Sequence, residues 1–379
     1  MQTGLFLLSN KQWEQHENSG LTDCTTAQLV MCFSAKHILA EPDIYQQLKQ
    51  KFPAAEIVMS SSSGEIYQNE IRDNSLVALA IRFNDTIFKT ASVDTADFDN
   101  SYNAAKALVG LLPQQDLSCI FVLSDGSVVN GSELVKGLND AAANNVLITG
   151  GLAGDAADFQ STLVGLNETP SNGKIVAIGF YGNRLVITHG SQGGWEMFGP
   201  ERIVTRSLGN RLFEIDDKPA LDLYKKYLGP DAANLPSSAL LFPLAVISTE
   251  SSQPLVRTIL SIDETSNSMI FAGDIPLGSK VRFMKANFDA LTVAAASAAQ
   301  KTIVEENRKP DLAILVSCVG RKLVLGTRIE EEIEAVDELF ASATTIAGFY
   351  SYGEISPFNA GGACQLHNQT MTITSFYEL

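Results

Sequence analysis

The stretch GFYSYGEISPF, Gly348–Phe358, follows the strand-like run TTIA and places four aromatic residues, one acid and two glycines within eleven positions. Two earlier stretches have the same form: SSSSGEIY (60–67) follows AEIVM, and GGLAGDAADF (150–159) follows NVLIT. In each, a strand-like run leads into small residues and then a Gly–acid pair. The repetition indicates one structural unit that occurs three times. The pairs are Gly64–Glu65, Gly154–Asp155 and Gly353–Glu354.

Each Gly–acid pair belongs to a longer pattern of strand, helix and strand. In the third unit a strand-like run precedes a helix on which Ile329, Ile333 and Phe340 share one face. The other two units have the same order, and another strand-like run follows each pair. These runs require antiparallel neighbours beside the parallel strands. The predicted strands include 29–34, 75–83, 119–126, 174–181, 313–320 and 371–377, and the predicted helices are 37–52, 102–112, 132–145, 287–305 and 328–343.

The predicted fold class is α/β, with two domains of mixed sheets covered by helices and built from repeated strand-helix-strand-loop-strand units. The polar stretch PDAANLPSS (230–238) contains two prolines and is the best linker. We therefore predict one domain over residues 1–229 and another over residues 236–379. Within the repeats, Gly154–Asp155 and Gly353–Glu354 are expected in equivalent loops.

Composition excludes several function classes. The chain has 27 Lys plus Arg against 43 Asp plus Glu, and its net charge of −16 disfavours a nucleic-acid partner. No apolar run reaches the length of about eighteen residues that a membrane span needs, so we expect a cytoplasmic protein without membrane contact. The five cysteines lack C-x-x-C spacing, which argues against a disulfide framework or a structural zinc site.

Two long segments resemble a known family. The segment from His189 to Gly229, HGSQGGWEMFGPERIVTRSLGNRLFEIDDKPALDLYKKYLG, resembles the end of the N-terminal FIST domain. AGFYSYGEISPF together with LHNQTMTITSFYE resembles the close of the C-terminal FIST domain. The resemblance implies a non-catalytic sensory protein for small ligands, with amino acids as suggested ligands. One stand-alone branch of the family binds haem, senses nitric oxide and regulates a separate histidine kinase, and a chain of this length fits that branch.

The three loops are expected to converge, because ligands in α/β sheets bind beyond the carboxyl ends of strands. Phe349, Tyr350 and Tyr352 would form the walls of a pocket, and Glu354 would bind a ligand or loop amides. Gly348 and Gly353 would allow close approach of the backbone. The alternative is that the aromatic residues fill the core and that Glu354 caps a turn.

A haem iron would need a histidine ligand, and the chain has four histidines. His189 ends the run RLVIT at a glycine-rich turn, with Trp195 and Phe198 as candidate walls, so it is the predicted iron ligand. The alternative is a surface histidine at a strand end. His367 belongs to the segment that resembles FIST domains in general, and we expect it to be hydrogen-bonded within the ligand-binding region.

Two further sites use other residues. Arg206 and Asp216 could clamp the carboxylate and amine of an amino acid, or pair with each other. Phosphate-loop, metalloprotease and nucleophile-elbow motifs are missing from the sequence, so we expect no enzymatic activity. A hydrolase built from Ser124 or Ser317 with His367 and Glu354 remains the enzymatic alternative.

Overall fold

A computed structural model of the chain describes residues 1–235, 237–247, 254–305, 308–359 and 361–379. Four sheets and the helices between them account for the regular structure of this part. None of its helices has the length and apolar character needed to cross a bilayer.

Each repeated unit contributes the centre of one six-stranded sheet. In spatial order, sheet I consists of β11 (Val164–Leu166), β4 (Glu56–Ser62), β3 (Leu29–Ala35), β7 (Leu76–Arg82), β1 (Gln2–Ser9) and β2 (Gln12–Gln15). Sheet II consists of β25 (Cys364–His367), β24 (Gly353–Pro357), β10 (Leu147–Leu152), β9 (Leu117–Ser124), β12 (Lys174–Tyr181) and β8 (Ile87–Asp94). Sheet III consists of β13 (Leu185–Gln192), β26 (Met371–Glu378), β22 (Leu312–Cys318), β23 (Thr345–Ser351), β5 (Glu65–Tyr67) and β6 (Glu70–Arg72).

The fourth sheet and the helices complete the architecture. Sheet IV consists of β18 (Leu255–Arg257), β17 (Leu244–Ile247), β21 (Lys280–Lys285), β14 (Glu196–Leu208), β15 (Arg211–Ile215), β20 (Ser268–Phe271) and β19 (Ile259–Asp263), with β16 (Lys218–Pro219) paired to β15. The helices are α1 (Lys36–Leu39), α2 (Ile44–Lys51), α3 (Ser101–Gly110), α4 (Gly131–Ala141), α5 (Ala220–Leu228), α6 (Phe288–Gln300), α7 (Val319–Leu325) and α8 (Glu330–Phe340).

The same pairing plan recurs in sheets I, II and III. Each has a central parallel pair, β3–β4, β9–β10 or β22–β23. An antiparallel strand, β7, β12 or β26, lies beside the first member of the pair. The predicted mixed α/β class is therefore confirmed.

The three units exchange strands in a ring. After the second parallel strand, each chain segment leaves its own sheet and pairs with the sheet of another unit. β5 of the first unit pairs with β23, β11 of the second pairs with β4, and β24 of the third pairs with β10. Each of sheets I, II and III is therefore completed by backbone from another unit, which connects the three units.

The main core lies where the three sheets face one another, and it contains Phe33, Phe121 and Phe349 from the three units. The rings of Phe33 and Phe349 stack with centroids 4.8 Å apart. Helices cover the opposite faces, with α2 on sheet I, α3 and α4 on sheet II, and α6 and α8 on sheet III. Because both faces of each sheet are covered, its strands read as nearly continuous apolar runs.

Three expectations need correction. The helix expected at 37–52 is divided into α1 and α2 around Pro42, since proline lacks the N–H that a helix interior uses. The stretch Gly348–Phe358 is not a loop but the end of β23 and all of β24. Gly353 and Glu354 therefore lie in a strand, whereas Gly154–Asp155 lies in an irregular segment between β10 and β11, so these two pairs are not in equivalent loops.

Candidate functional site

The strand exchange brings the three Gly–acid segments together at the carboxyl ends of the parallel pairs. Amides of each segment donate to a carbonyl of another unit: Ser63 N to Tyr350 O (2.8 Å), Gly154 N to Ser61 O (3.0 Å) and Tyr352 N to Leu152 O (3.2 Å). The expected convergence of the three segments is thus present. These backbone hydrogen bonds join the three segments, and we call the place where they meet the junction.

A cleft with a volume of about 630 Å³ opens beside this junction, and we call it the junction cleft. Its charged lining residues come from all three units: Lys36, Glu65 and Asp73 from the first, Asp155 and Asp158 from the second, and Lys322 from the third. The small residues Ser63, Gly64 and Ala156 keep it open.

Each lysine of the cleft lies on the helical segment that follows the first strand of a parallel pair. Lys322, on α7, donates to the carbonyl oxygen of Ser63 at 2.9 Å and forms an ion pair with Asp73. Lys36 opens α1 after β3, and its Nζ lies 3.5 Å from Asp155 Oδ2. Both ion pairs therefore connect different segments across the cleft. Sequence reasoning missed these lysines, although their position directly after predicted strands was a usable signal.

Asp155 organises the segment between β10 and β11. Its buried carboxylate accepts the amides of Gln160 at 3.1 Å and Ser161 at 2.9 Å through Oδ2. Its other oxygen accepts the Tyr352 hydroxyl of the third unit. The acid of the second pair is thus an anchor for its own loop and for a neighbouring unit.

The acids of the first and third pairs have matching environments. Glu65 accepts the Ser62 hydroxyl at 2.5 Å and the Ser75 hydroxyl at 2.7 Å. Burial raises the pKa of the Glu65 carboxyl to about 7.

Glu354 has the same arrangement, accepting the Ser351 hydroxyl at 2.9 Å and the Thr370 hydroxyl at 2.8 Å. Burial also raises its pKa to about 7. It holds the start of β24 against the turn before β26, so it bonds loop groups rather than lining a cavity.

Of the predicted aromatic walls, Phe349 and Tyr350 lie in the core. Phe349 stacks on Phe33, and the Tyr350 hydroxyl donates to Glu332 at 2.8 Å. They point to opposite faces of sheet III, both of which are covered, so neither can reach a ligand. Tyr352 is partly exposed and borders a different cavity. Gly353 packs closely against leucine side chains, because a Cβ there would lie 2.8 Å from Leu366 Cδ1.

The structure does not bring His189, Trp195 and Phe198 together. His189 is half-buried on β13 beside a shallow cavity of about 290 Å³ that Lys301 also lines. Burial lowers its pKa. Trp195 donates to the carbonyl oxygen of Gln369 at 2.9 Å in one apolar cluster, and Phe198 packs in another. The described residues around His189 thus do not fit a haem, and the described part of the chain has no group of three metal-ligating residues.

His367 is buried, and its Nε2 forms a hydrogen bond with the carbonyl oxygen of Ser356 at 2.9 Å. Burial lowers its pKa to about 4. The Ser317 hydroxyl donates to Glu332 at 3.1 Å, and the Ser124 hydroxyl to the carbonyl oxygen of Asp125 at 3.1 Å. With Glu354 bonded to Ser351 and Thr370, the members of the hydrolase alternative have other partners.

Arg206 and Asp216 do not form the predicted clamp, nor do they pair with each other. Arg206 is exposed on β14 and forms an ion pair with Glu214 at 2.9 Å. Asp216 pairs with Arg202 at 2.7 Å. Arg206 lies on sheet IV and Asp216 lies in the turn between β15 and β16, and neither residue lines the junction cleft.

Comparisons with known proteins show two adjoining matches. The chain matches the FIST N domain over residues 28–218 and the FIST C domain over residues 220–357. A search of curated proteins finds no match. The predicted limits 1–229 and 236–379 stay predictions, and sheet IV takes strands from both sides of the predicted linker.

Two solved structures show weak similarity. One is described as "Cyanuric acid hydrolase: evolutionary innovation by structural concatenation", with 10% identity, 100% of this chain and 99% of that chain covered, and a TM-score of 0.32. The other is a cyanuric acid hydrolase from A. caulinodans, with 9% identity, 77% and 99% coverage, and a TM-score of 0.19. At these scores the similarities support no conclusion about activity.

Proposed function

The chain belongs to the FIST family, and from this membership we propose that it is a non-catalytic sensor whose junction cleft binds a free amino acid. The presence of both FIST domains supports a role in sensing small ligands. The geometry of the cleft supports an amino acid as that ligand.

The observation that carries the proposal is the presence of both charge signs in one cleft. Lys36 and Lys322 face carboxylates of Asp73 and Asp155, and each lysine is already in an ion pair. An anion alone would separate a lysine from its partner and leave a carboxylate uncompensated, which is costly in a partly buried site. A zwitterion brings a negative charge for the lysine and a positive charge for the aspartate, so it can bind without leaving either side chain unpaired.

The roles of the residues follow from their exposure. The ligand carboxylate is assigned to Lys36 and Lys322, whose ammonium groups are charge-assisted donors. The ligand ammonium is assigned to Asp73, whose side chain is 62% exposed and can reorient. Asp155 is 1% exposed and keeps its role as a loop anchor.

Because the cleft is lined by all three units, a bound amino acid would contact the segments that they exchange. We propose that the bound state is read by a separate cytoplasmic partner, such as a histidine kinase. Haem-based nitric oxide sensing is the weaker proposal, since the residues around His189 do not fit a haem.

The test is a thermal-unfolding screen of the full chain with each standard amino acid. A ligand at one hundred times its Kd raises the free energy of unfolding by about 2.7 kcal/mol. Lys322→Met should abolish this stabilisation, whereas the control Lys285→Met, at an exposed surface ion pair, should retain it. If no amino acid raises the melting temperature, or if Lys322→Met binds as well as the wild type, the proposal is wrong.

A further inference from the structure

A second cavity of about 320 Å³ lies on the other side of Tyr352, between the loop that joins β9 to α4 and the residues that follow β20. Val128, Phe159, Leu260 and Asp274 line it together with Tyr352. Tyr352 was a predicted pocket wall and Phe159 ends the second repeated stretch, whereas Leu260 and Asp274 were not predicted, and the proposed amino-acid site does not use this cavity.

One wall of the second cavity is an aromatic pair. The rings of Phe159 and Tyr352 stack with centroids 4.8 Å apart and an interplanar angle of 17°. Phe159 is 42% exposed although it is a large apolar residue, and its φ of +52° lies in the left-handed region that non-glycine residues avoid. The Phe159 amide donates to the Tyr352 hydroxyl at 3.0 Å, which holds the ring in place.

Two apolar side chains of the rim are open to solvent, whereas Ser127, Asn130 and Asn210 give the cavity a polar part. Val128 is 57% exposed and Leu260 is 42% exposed. Together with the aromatic pair, these side chains give the cavity two apolar flanks that fit a flat, apolar body.

Asp274 is the single charged side chain among the described lining residues. Its Oδ1 is buried and has no hydrogen-bond partner in the part of the chain that the structure describes. Arg257 is nearby, but it donates to the backbone carbonyl oxygens of Asp274 at 3.3 Å and Leu366 at 2.9 Å. The buried Arg257 guanidinium is a nearby positive charge, but it forms no hydrogen bond with the Asp274 carboxylate among the described residues, so Oδ1 keeps an unused acceptor.

We propose that the second cavity binds a small organic cation with a planar apolar body. The ammonium or guanidinium group pairs with Asp274, and the planar body lies against the aromatic pair, whose ring faces also attract a positive charge. A free amino acid does not fit, because its carboxylate would face Asp274 with no lysine among the described lining residues. This site is independent of the junction cleft, whose ligand needs both charge signs.

The experiment measures binding of phenethylamine, protonated at neutral pH, to the full chain by calorimetry. We expect saturable binding, and 2-phenylethanol, the neutral analogue, should bind about tenfold more weakly or worse because it cannot pair with the carboxylate. Asp274→Asn should weaken phenethylamine binding by about tenfold or more for the same reason. Asp73→Asn, a carboxylate of the junction cleft, is the matched control and should leave this affinity unchanged.

Asp274→Asn could lose binding because it folds poorly, so Leu260→Lys, at an exposed position, provides a second variant. It places a positive charge at the rim and should prevent binding of the cation. The proposal is overturned if phenethylamine does not bind at millimolar concentration, if 2-phenylethanol binds equally well, or if Leu260→Lys retains the wild-type affinity.

Discussion

At the scale of single residues, the acids of the three Gly–acid pairs separate into two roles. Glu65 and Glu354 are buried and bonded to hydroxyl groups, each through the serine three positions earlier. Asp155 instead holds its own loop and the Tyr352 hydroxyl. The sequence shows the three pairs as alike, whereas their surroundings give the two glutamates raised pKa values near 7.

Glu354→Gln should change how stability depends on pH. The pKa of Glu354 is raised to about 7 in the folded chain, so the folded state retains a proton that the unfolded state has released. The resulting stability is fully present below the unfolded pKa of about 4.3 and is lost as the pH rises through about 7. In the wild type, this carboxyl should lower the free energy of unfolding by on the order of 1 to 3 kcal/mol between these two pH values. We expect Glu354→Gln to lack this part of the pH dependence.

Urea unfolding at several pH values measures this change. Glu334→Gln, at an exposed position on α8, is the control and should keep the wild-type profile. A Glu354→Gln profile as steep as that of the wild type would show that Glu354 does not hold a proton in the folded chain. The pKa of Glu65 is also raised to about 7, so Glu65 contributes the same pH dependence of stability in the wild type and in Glu354→Gln.

At the scale of elements, close contact between the parallel strands depends on glycine. Gly348 on β23 pairs with Leu315 on β22, and a Cβ at Gly348 would lie 1.9 Å from the Leu315 carbonyl oxygen. Gly348 therefore permits close packing of the two strands. The same stretch then crosses to sheet II as β24, so its position affects two sheets.

Gly348→Ala should destabilise the fold by about 3 kcal/mol or more, because β23 must shift away from β22 in a core that is packed on both faces. Gly110→Ala, at the end of α3, is the matched control. No atom lies within 4 Å of a Cβ there, and alanine is favoured over glycine in helices. Thermal unfolding of the two variants measures the difference, and equal melting temperatures would contradict the close approach of the strands.

At the scale of the whole molecule, the strand exchange makes the chain one interdependent structure. β5 and β6 of the first unit complete sheet III, and β24 and β25 of the third complete sheet II. β13 precedes the predicted linker but pairs with β26 near the C-terminus. Sheets II and III therefore each contain strands from both predicted domains.

The fragments 1–229 and 236–379, expressed separately, should each fail to unfold cooperatively, because each exposes strand edges and apolar faces that the other covers. The full chain should show one cooperative transition. Circular dichroism during heating measures both. A cooperative transition in either fragment alone would show that the exchanged strands contribute little to stability.

Most of the strands and helices, and the three related units, could be predicted from local sequence patterns. The apolar runs and helical periodicity predicted β3, β9 and β22, and they predicted α4, α6 and α8 to within five residues at each end. The FIST resemblance was likewise carried by local segments, and the family matches confirm it. These features are readable because side-chain periodicity is a local property of the chain.

The tertiary structure alone decided which sheet each short strand joins, and with that the composition of the junction cleft. Lys36, Asp155 and Lys322 are far apart in the sequence, and they meet because β5, β11 and β24 pair with sheets of other units. Backbone hydrogen bonds between strands carry almost no information about the identity of the partner, so a strand of three to five residues does not specify its neighbour. That choice depends on the simultaneous burial of all three sheets in one core, which is a property of the complete fold.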